Sequence, residues 1–286
     1  MRLSIAVGLL ALLSAISPAA AAPLGIVAAE NFYGDIARQI GGGDVMVTSI
    51  LSNPDQDPHE FEASPSTARA FATARIVIYN GAGYDPWAAR LSSVPAAVPR
   101  DIVVVARLVH KTAADNPHLW YDPGTMPRLA RHLALLLERL DPAHRSDYAR
   151  NLASFQQSLA PLDDEIATLR GKYSGTRVTA TEPVFGYMAA ALGLDMRNPD
   201  FQLAIMNDTE PSAAAIAGIE TDLKTRAVKL LIYNNQTSIA LTRRVRMIAV
   251  AAGVPVVGVS ETEPLGKDYQ EWMRSQLDAV GRALAR

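Results

Sequence analysis

Two short stretches carry side chains of the right types and spacing to hold a cation. The first is Asn53-Pro54-Asp55-Gln56-Asp57-Pro58-His59-Glu60-Phe61-Glu62. The second is Asn116-Pro117-His118-Leu119-Trp120-Tyr121-Asp122-Pro123. In each, a proline precedes a histidine and carboxylates or amides stand close by. The chain has five histidines, and two of them sit in this setting. Neutral imidazole is the commonest metal ligand among side chains. The residue before a proline is pushed out of the helical region, so both loops read as extended and stiff. His59 and His118 are therefore the first candidate ligands.

The elements that must position them follow from the apolar pattern. Val45 to Leu51 reads as a strand ahead of the first loop, and Ile102 to Val105 as a strand ahead of the second. Pro65 to Ala74 reads as a helix, with Ser64 as its cap and proline at its first position. Leu24 to Ala29, Ile76 to Tyr79, Arg177 to Thr181, Lys229 to Tyr233 and Val254 to Val259 are further strands. Helices lie between them: Asn31 to Ile40, Tyr84 to Leu91, Phe185 to Leu192, Ser212 to Leu223, Ser238 to Ala252 and Tyr269 to Leu284. This alternation predicts parallel sheets flanked by helices, whose ligand sites lie beyond the carboxyl ends of the strands. Asn80-Gly81-Ala82-Gly83 reads as a turn, because it lacks the glycine spacing and lysine of a phosphate loop.

The middle of the chain has another rhythm. Asp122 to Leu140 is helical, and Asp141-Pro142 stops it. Tyr148, Leu152, Phe155, Leu159, Leu162, Ile166 and Leu169 then recur at steps of four and three, which predicts one long helical stripe kinked at Pro161. The fold class is thus α/β, with two lobes, each a parallel-type sheet flanked by helices, joined by one long linker helix. The expected boundaries are a signal peptide over 1–22, an N-terminal lobe over 23–141, the linker helix over 142–172 and a C-terminal lobe over 173–286.

Asp57-Pro58-His59-Glu60-Phe61-Glu62 with Ser64-Pro65-Ser66, and Asn116-Pro117-His118-Leu119-Trp120 with Asp122-Pro123, resemble the two amino-terminal metal motifs of the zinc/manganese-type solute-binding proteins of ABC importers. The resemblance continues through Thr181-Glu182-Pro183-Val184-Phe185-Gly186-Tyr187, Glu210-Pro211-Ser212 and Val257 to Gly266. It covers nearly all of the chain after the leader. It implies a third ligand at Glu182, where many zinc-acquiring members carry histidine. The fourth would be a carboxylate after the last strand. Glu261 lies nearer the end of that strand, and Glu263 matches the family's carboxylate-x-x-Gly spacing. Glu261 is taken as the fourth ligand, with Glu263 as the alternative. Apart from the family, the four positions follow four apolar strands, two per lobe, so facing sheet edges would bring two imidazoles and two carboxylates together.

Such a set suits a divalent first-row metal, Zn²⁺ or Mn²⁺. Oxygen ligands favour Mn²⁺, whereas intrinsic affinity favours Zn²⁺. The implied function is capture of that ion between the lobes and delivery to an inner-membrane ABC permease, by a periplasmic monomer that is not an enzyme. Arg2, the apolar run Leu3 to Ile16 and the small residues Ala19 to Ala22 read as an export signal. The chain has no cysteine, which removes disulfides, thiolate ligands and a lipid-modified cysteine. A net charge of −2 gives no basic patch for nucleic acid. A secreted metallohydrolase using the same two-histidine, two-carboxylate site is the alternative, although the chain has no H-E-x-x-H cluster. An adhesin with an incidental metal is a third class. His110, His132 and His144 read as surface or structural, Glu210 as a helix-start charge, and Trp87, Trp120 and Trp272 as packing.

Overall fold

The computed structural model describes residues 22–56, 58–237 and 239–286, without the side chain of His59. Ala22 apart, the expected leader lies outside the described residues. In the first lobe β1 (Leu24–Glu30), β2 (Val45–Leu51), β3 (Ile76–Tyr79) and β4 (Asp101–Val104) form a wholly parallel sheet in the order β2-β1-β3-β4. Its crossovers carry α1 (Asn31–Gly41), α2 (Pro65–Thr73) and α3 (Pro86–Ser93). The single turn α4 (Val105–Leu108) follows β4, and α5 (Thr125–Leu140) lies beyond the His118 loop. Two helices, α6 (Arg145–Ser158) and α7 (Ala160–Tyr173), lead into the second lobe.

There β5 (Arg177–Ala180), β6 (Asp195–Arg197), β7 (Leu231–Asn234) and β8 (Val256–Val259) pair in the order β6-β5-β7-β8, again all parallel. The helices of this lobe are α8 (Gly186–Ala191), α9 (Pro199–Met206), α10 (Ala213–Lys224), α11 (Ala240–Ala252) and α12 (Tyr269–Leu284). The second sheet repeats the topology of the first. In each, the direction of winding reverses between the first strand and the third, where an open α/β sheet leaves a crevice for ligands. Those positions are β1 and β3 in the first lobe, β5 and β7 in the second.

Local signals set many of the boundaries. Ser64 Oγ accepts from Thr67 N at 3.2 Å and opens α2. Ser212 Oγ accepts from Ala215 N at 3.1 Å, and Asp268 Oδ1 from Glu271 N at 2.8 Å, to open α10 and α12. Three expectations need correction. The stripe from Tyr148 to Leu169 is two helices rather than one, joined at Leu159, which keeps helical dihedrals. Pro161 stands in the first turn of α7, where its missing N–H and fixed φ are tolerated, so the joint falls two residues earlier. Leu152 and Ile166 are half-buried. Finally, β6 and α9 occupy a stretch without a clear period; β6 is a three-residue edge strand, and α9 starts from Asn198 at φ 58°.

The main core is continuous from one lobe to the other. Phe32 of α1 stacks on Trp120 at 4.7 Å between centroids and on Trp272 of α12 at 5.8 Å. Tyr121 reaches Trp272 at 5.8 Å and Phe185 at 5.2 Å. Polar ends of the same rings cross the seam: Tyr121 Oη donates to Ser260 O at 3.0 Å, and Tyr269 Oη to Trp120 O at 2.9 Å. The Asn31 side chain donates to Glu263 O at 2.7 Å and accepts from Glu263 N at 3.1 Å. A shared core predicts that the lobes melt as one unit. Calorimetry on metal-chelated protein should give one transition, and Phe32→Ala should lower its stability by about 3–5 kcal/mol without splitting it. Two resolved transitions would show that the lobes unfold independently.

Candidate metal centre

His118 is fully buried on the loop between α4 and α5. Asn116 Oδ1 accepts from His118 N at 3.1 Å and lies 2.6 Å from His118 Nδ1. The same Asn116 side chain donates through Nδ2 to Pro183 O at 2.7 Å, which identifies its Oδ1 as the acceptor. Nδ1 of His118 therefore carries the hydrogen, and Nε2 presents the lone pair. That nitrogen faces Glu261 Oε2 at 3.3 Å, with both side chains wholly out of solvent. A lone pair and a carboxylate oxygen attract each other only with a proton or a cation between them. Burial strips away the water that would otherwise screen them.

Glu182 and Glu261 come from the loops after β5 and β8, and both are buried. Asn234, the last residue of β7, joins them. Its Nδ2 donates to Glu261 Oε1 at 2.5 Å and lies 3.3 Å from Glu182 Oε2. Gln236 Oε1 accepts from Glu261 N at 2.5 Å and pins the backbone of that loop. Tyr84 is buried edge-on to His118 with ring centroids 6.0 Å apart. Burial, then the charge of Glu261, holds its phenol well above the usual range. The arrangement crosses the lobes: Asn116 orients His118 while gripping the residue next to Glu182, and Tyr187 Oη donates to Asn116 O at 2.8 Å.

The candidates thus divide. His118, Glu182 and Glu261 meet in one buried cluster at the lobe seam. His59 lies in the short turn Pro58–Glu60, and its side chain is outside the described residues. Among the described residues, no three His, Asp or Glu side chains close on one shared ion position; Glu182 stands one amide away from the His118–Glu261 pair. Glu263 belongs to other surroundings. Burial, then the charge of Asp35, pushes its carboxyl up to about 9. His110 and His132 are exposed, and His144 Nδ1 sits 2.6 Å from Asp141 Oδ2.

Behind the cluster lies a second buried acid pair. Asp85 accepts from Asn80 N at 2.6 Å and Gly81 N at 2.8 Å. The turn that allows this has Gly81 at φ 76°, Ala82 at 52° and Gly83 at 81°. Glu30, at the end of β1, is raised well above the carboxylate range by burial and then by Asp85. Asp85 itself is pushed up to about 6, chiefly by burial. Both carboxyls of the pair are thus shifted upward by their burial. Asn116, Asn234, Tyr84 and Glu30 were not singled out from the sequence. For Asn234 and Glu30 a signal was present: a polar residue ending an apolar strand, where parallel sheets place their ligands.

The family model for the zinc-uptake complex component A, periplasmic (ZnuA), matches residues 26–283. The chain belongs to this family. The manganese ABC transporter substrate-binding lipoprotein PsaA of Streptococcus mitis is 23% identical over 92% of this chain and 90% of its own length. The high-affinity zinc uptake system protein ZnuA of Bacillus subtilis (strain 168) is 22% identical over 89% of this chain and 84% of its own length. In fold, the periplasmic zinc-binding protein TroA of Treponema pallidum superposes with a TM-score of 0.76 at 19% identity, covering 93% of this chain and all of TroA. The ZnuA family consists of transport binding proteins, not enzymes, and the metallohydrolase alternative finds no support in these relatives.

The two acidic neighbours differ in a way that pH exposes. An unfolded Glu263 titrates near 4.5 and a folded one at about 9. Between those values the folded chain keeps a proton that the unfolded chain has lost, so this stability is full below pH 4.5 and drains away as pH rises towards 9. The loss should be on the order of a few kcal/mol. With chelator present, Glu263→Gln should melt like wild type near pH 4.5 and well above it at pH 9. Parallel melting curves across that range would show that Glu263 does not bury a proton.

Proposed function

We propose that this chain captures a divalent transition metal, Zn²⁺ or Mn²⁺, at the seam of its two lobes and hands it to an ABC permease in the inner membrane. The observation that supports the reading most is the buried His118 Nε2, a lone-pair donor aimed at Glu261 Oε2 from 3.3 Å, with Glu182 one amide away. The proposed ligands are His118, Glu182 and Glu261, joined by His59 from the loop after β2. Glu261 is favoured over Glu263, the alternative fourth ligand, because Glu261 faces His118 Nε2 whereas the backbone at Glu263 is tied to Asn31. Binding places a positive charge between the imidazole nitrogen and the carboxylate oxygens, and because ligands bind in their deprotonated forms, affinity falls as pH drops.

The continuous aromatic core between the lobes supports a small closure rather than a wide hinge. Release then depends on the permease prying ligands apart, not on a flexible linker. The leader over the first 22 residues would export the chain to the periplasm, and it would work there as a monomer without nucleic acid. Some relatives are named lipoproteins. This sequence holds no cysteine, so a cysteine-linked lipid has no attachment point in it.

Titration calorimetry should show Glu261→Ala weakening Zn²⁺ and Mn²⁺ binding much more than Glu263→Ala. The reverse order would move the ligand by two residues. An ion at a hundredfold excess over Kd stabilises the folded chain by about 2.7 kcal/mol. Wild type should therefore gain melting temperature with metal, and His118→Ala should gain little. In cells lacking other importers, His118→Ala should abolish growth in metal-limited medium while the protein is still folded and exported. Equal growth of the two strains would mean that its task is not metal capture.

A further inference from the structure

The second sheet runs β6-β5-β7-β8, so β7 lies between the strand that leads to Glu182 and the strand that leads to Glu261. Its last residue, Asn234, is thereby set between the two carboxylates. The side chain is buried, and its orientation is fixed on both sides. Oδ1 accepts from Gln236 N at 3.0 Å. Nδ2 faces oxygens only: Glu261 Oε1 at 2.5 Å, Thr237 Oγ1 at 3.1 Å and Glu182 Oε2 at 3.3 Å. The backbone is tied as well, with Asn234 N donating to Thr181 Oγ1 at 3.2 Å.

The amide takes one oxygen from each carboxylate. On Glu261 the division is explicit: Oε1 goes to the amide, and Oε2 faces His118 Nε2 at 3.3 Å. A carboxylate that binds a metal through both oxygens must turn both towards it, which this amide opposes. Each glutamate is then held to one metal-facing oxygen. On the capture reading, two such oxygens and the imidazoles of the proposed ligands His59 and His118 would make four donors, the number and type that tetrahedral Zn²⁺ takes. Mn²⁺ favours a larger, oxygen-rich shell, which bidentate carboxylates would provide.

Resting on the metal-capture reading above, we propose that Asn234 is a specificity-determining residue, which holds Glu182 and Glu261 monodentate and so biases the site towards four-coordinate Zn²⁺ over Mn²⁺. It touches the ligands and not the ion, so it acts as a positioning residue.

The test compares wild type, Asn234→Ala and Asn234→Ser. Serine keeps an acceptor for Gln236 N but is too short to reach both carboxylates, so it serves if the alanine variant folds poorly. Kd for Zn²⁺ and Mn²⁺ is measured by competition calorimetry, and bound Co²⁺ is read by its visible spectrum. Loss of a ligand's hydrogen-bonding partner usually changes metal affinity by about 10–100-fold, so the preference for Zn²⁺ over Mn²⁺ should fall by about tenfold or more in both variants. The intense bands of four-coordinate Co²⁺ in wild type should weaken as the shell expands. An unchanged preference, equal changes for both metals, or identical Co²⁺ spectra would overturn the proposal. His118→Ala is the control for the underlying reading. If it binds Zn²⁺ as wild type does, the capture reading fails; if it loses Zn²⁺ while the Asn234 variants keep the wild-type preference, only the role of Asn234 fails.

Discussion

The stacking of Phe32, Trp120, Tyr121 and Trp272 across the lobe seam is the interaction on which the rest of this structure depends. Each ring comes from a segment that also carries a polar duty. Phe32 stands two residues from Glu30, Trp120 two from His118, and Trp272 lies in the first turn of the helix that follows the Glu261 loop. Packing large rings removes a large apolar area from water and, at the density of a close-packed interior, restricts the movement of their neighbours. The cluster of His118 and Glu261 inherits that rigidity. Without the seam, His118 from one lobe and Glu261 from the other would have no reason to stand 3.3 Å apart.

Burial sets the second condition. Glu30, Asp85, Glu182, Glu261 and Glu263 are all nearly inaccessible to water in one region of the molecule. Such a gathering of carboxylates is expensive unless the charges are neutralised, paired or hydrogen-bonded. The protein uses each remedy at a different place. Glu263 keeps its proton beside Asp35. At Glu30 and Asp85 burial raises both carboxyls, and two backbone N–H groups steady Asp85. Glu182 and Glu261 receive the Asn234 amide. Proximity in sequence is a poor guide here: Glu261 and Glu263 are two residues apart, yet one faces an imidazole and the other is buried within the influence of the Asp35 charge.

Much of the fold was legible in the sequence. Parallel strands buried on both faces read as near-continuous apolar runs. Ser64 and Ser212 start helices by hydrogen bonds to their own neighbours, and such signals need no tertiary context. What escaped was short or aperiodic: the three-residue strand β6, the helix α9 behind it, and the single turn α4. The joint at Leu159 was placed two residues late, because proline is disruptive inside a helix but comfortable in its first turn.

The candidate site shows where that reach ends. By itself the sequence determined the α/β class, the two lobes and the loops that carry His59, His118, Glu182 and Glu261, because periodicity and proline placement are local properties. Only the tertiary structure decided which side chains meet. Asn234 is an unremarked residue at a strand end until the order β5-β7-β8 seats it between two carboxylates from distant loops. Asn116 is part of a loop motif until Pro183, from the other lobe, accepts its second hydrogen bond. Glu261 and Glu263 are equivalent in composition and separate only through what burial places beside each. Such choices depend on contacts between residues far apart in the chain, and no local pattern encodes them.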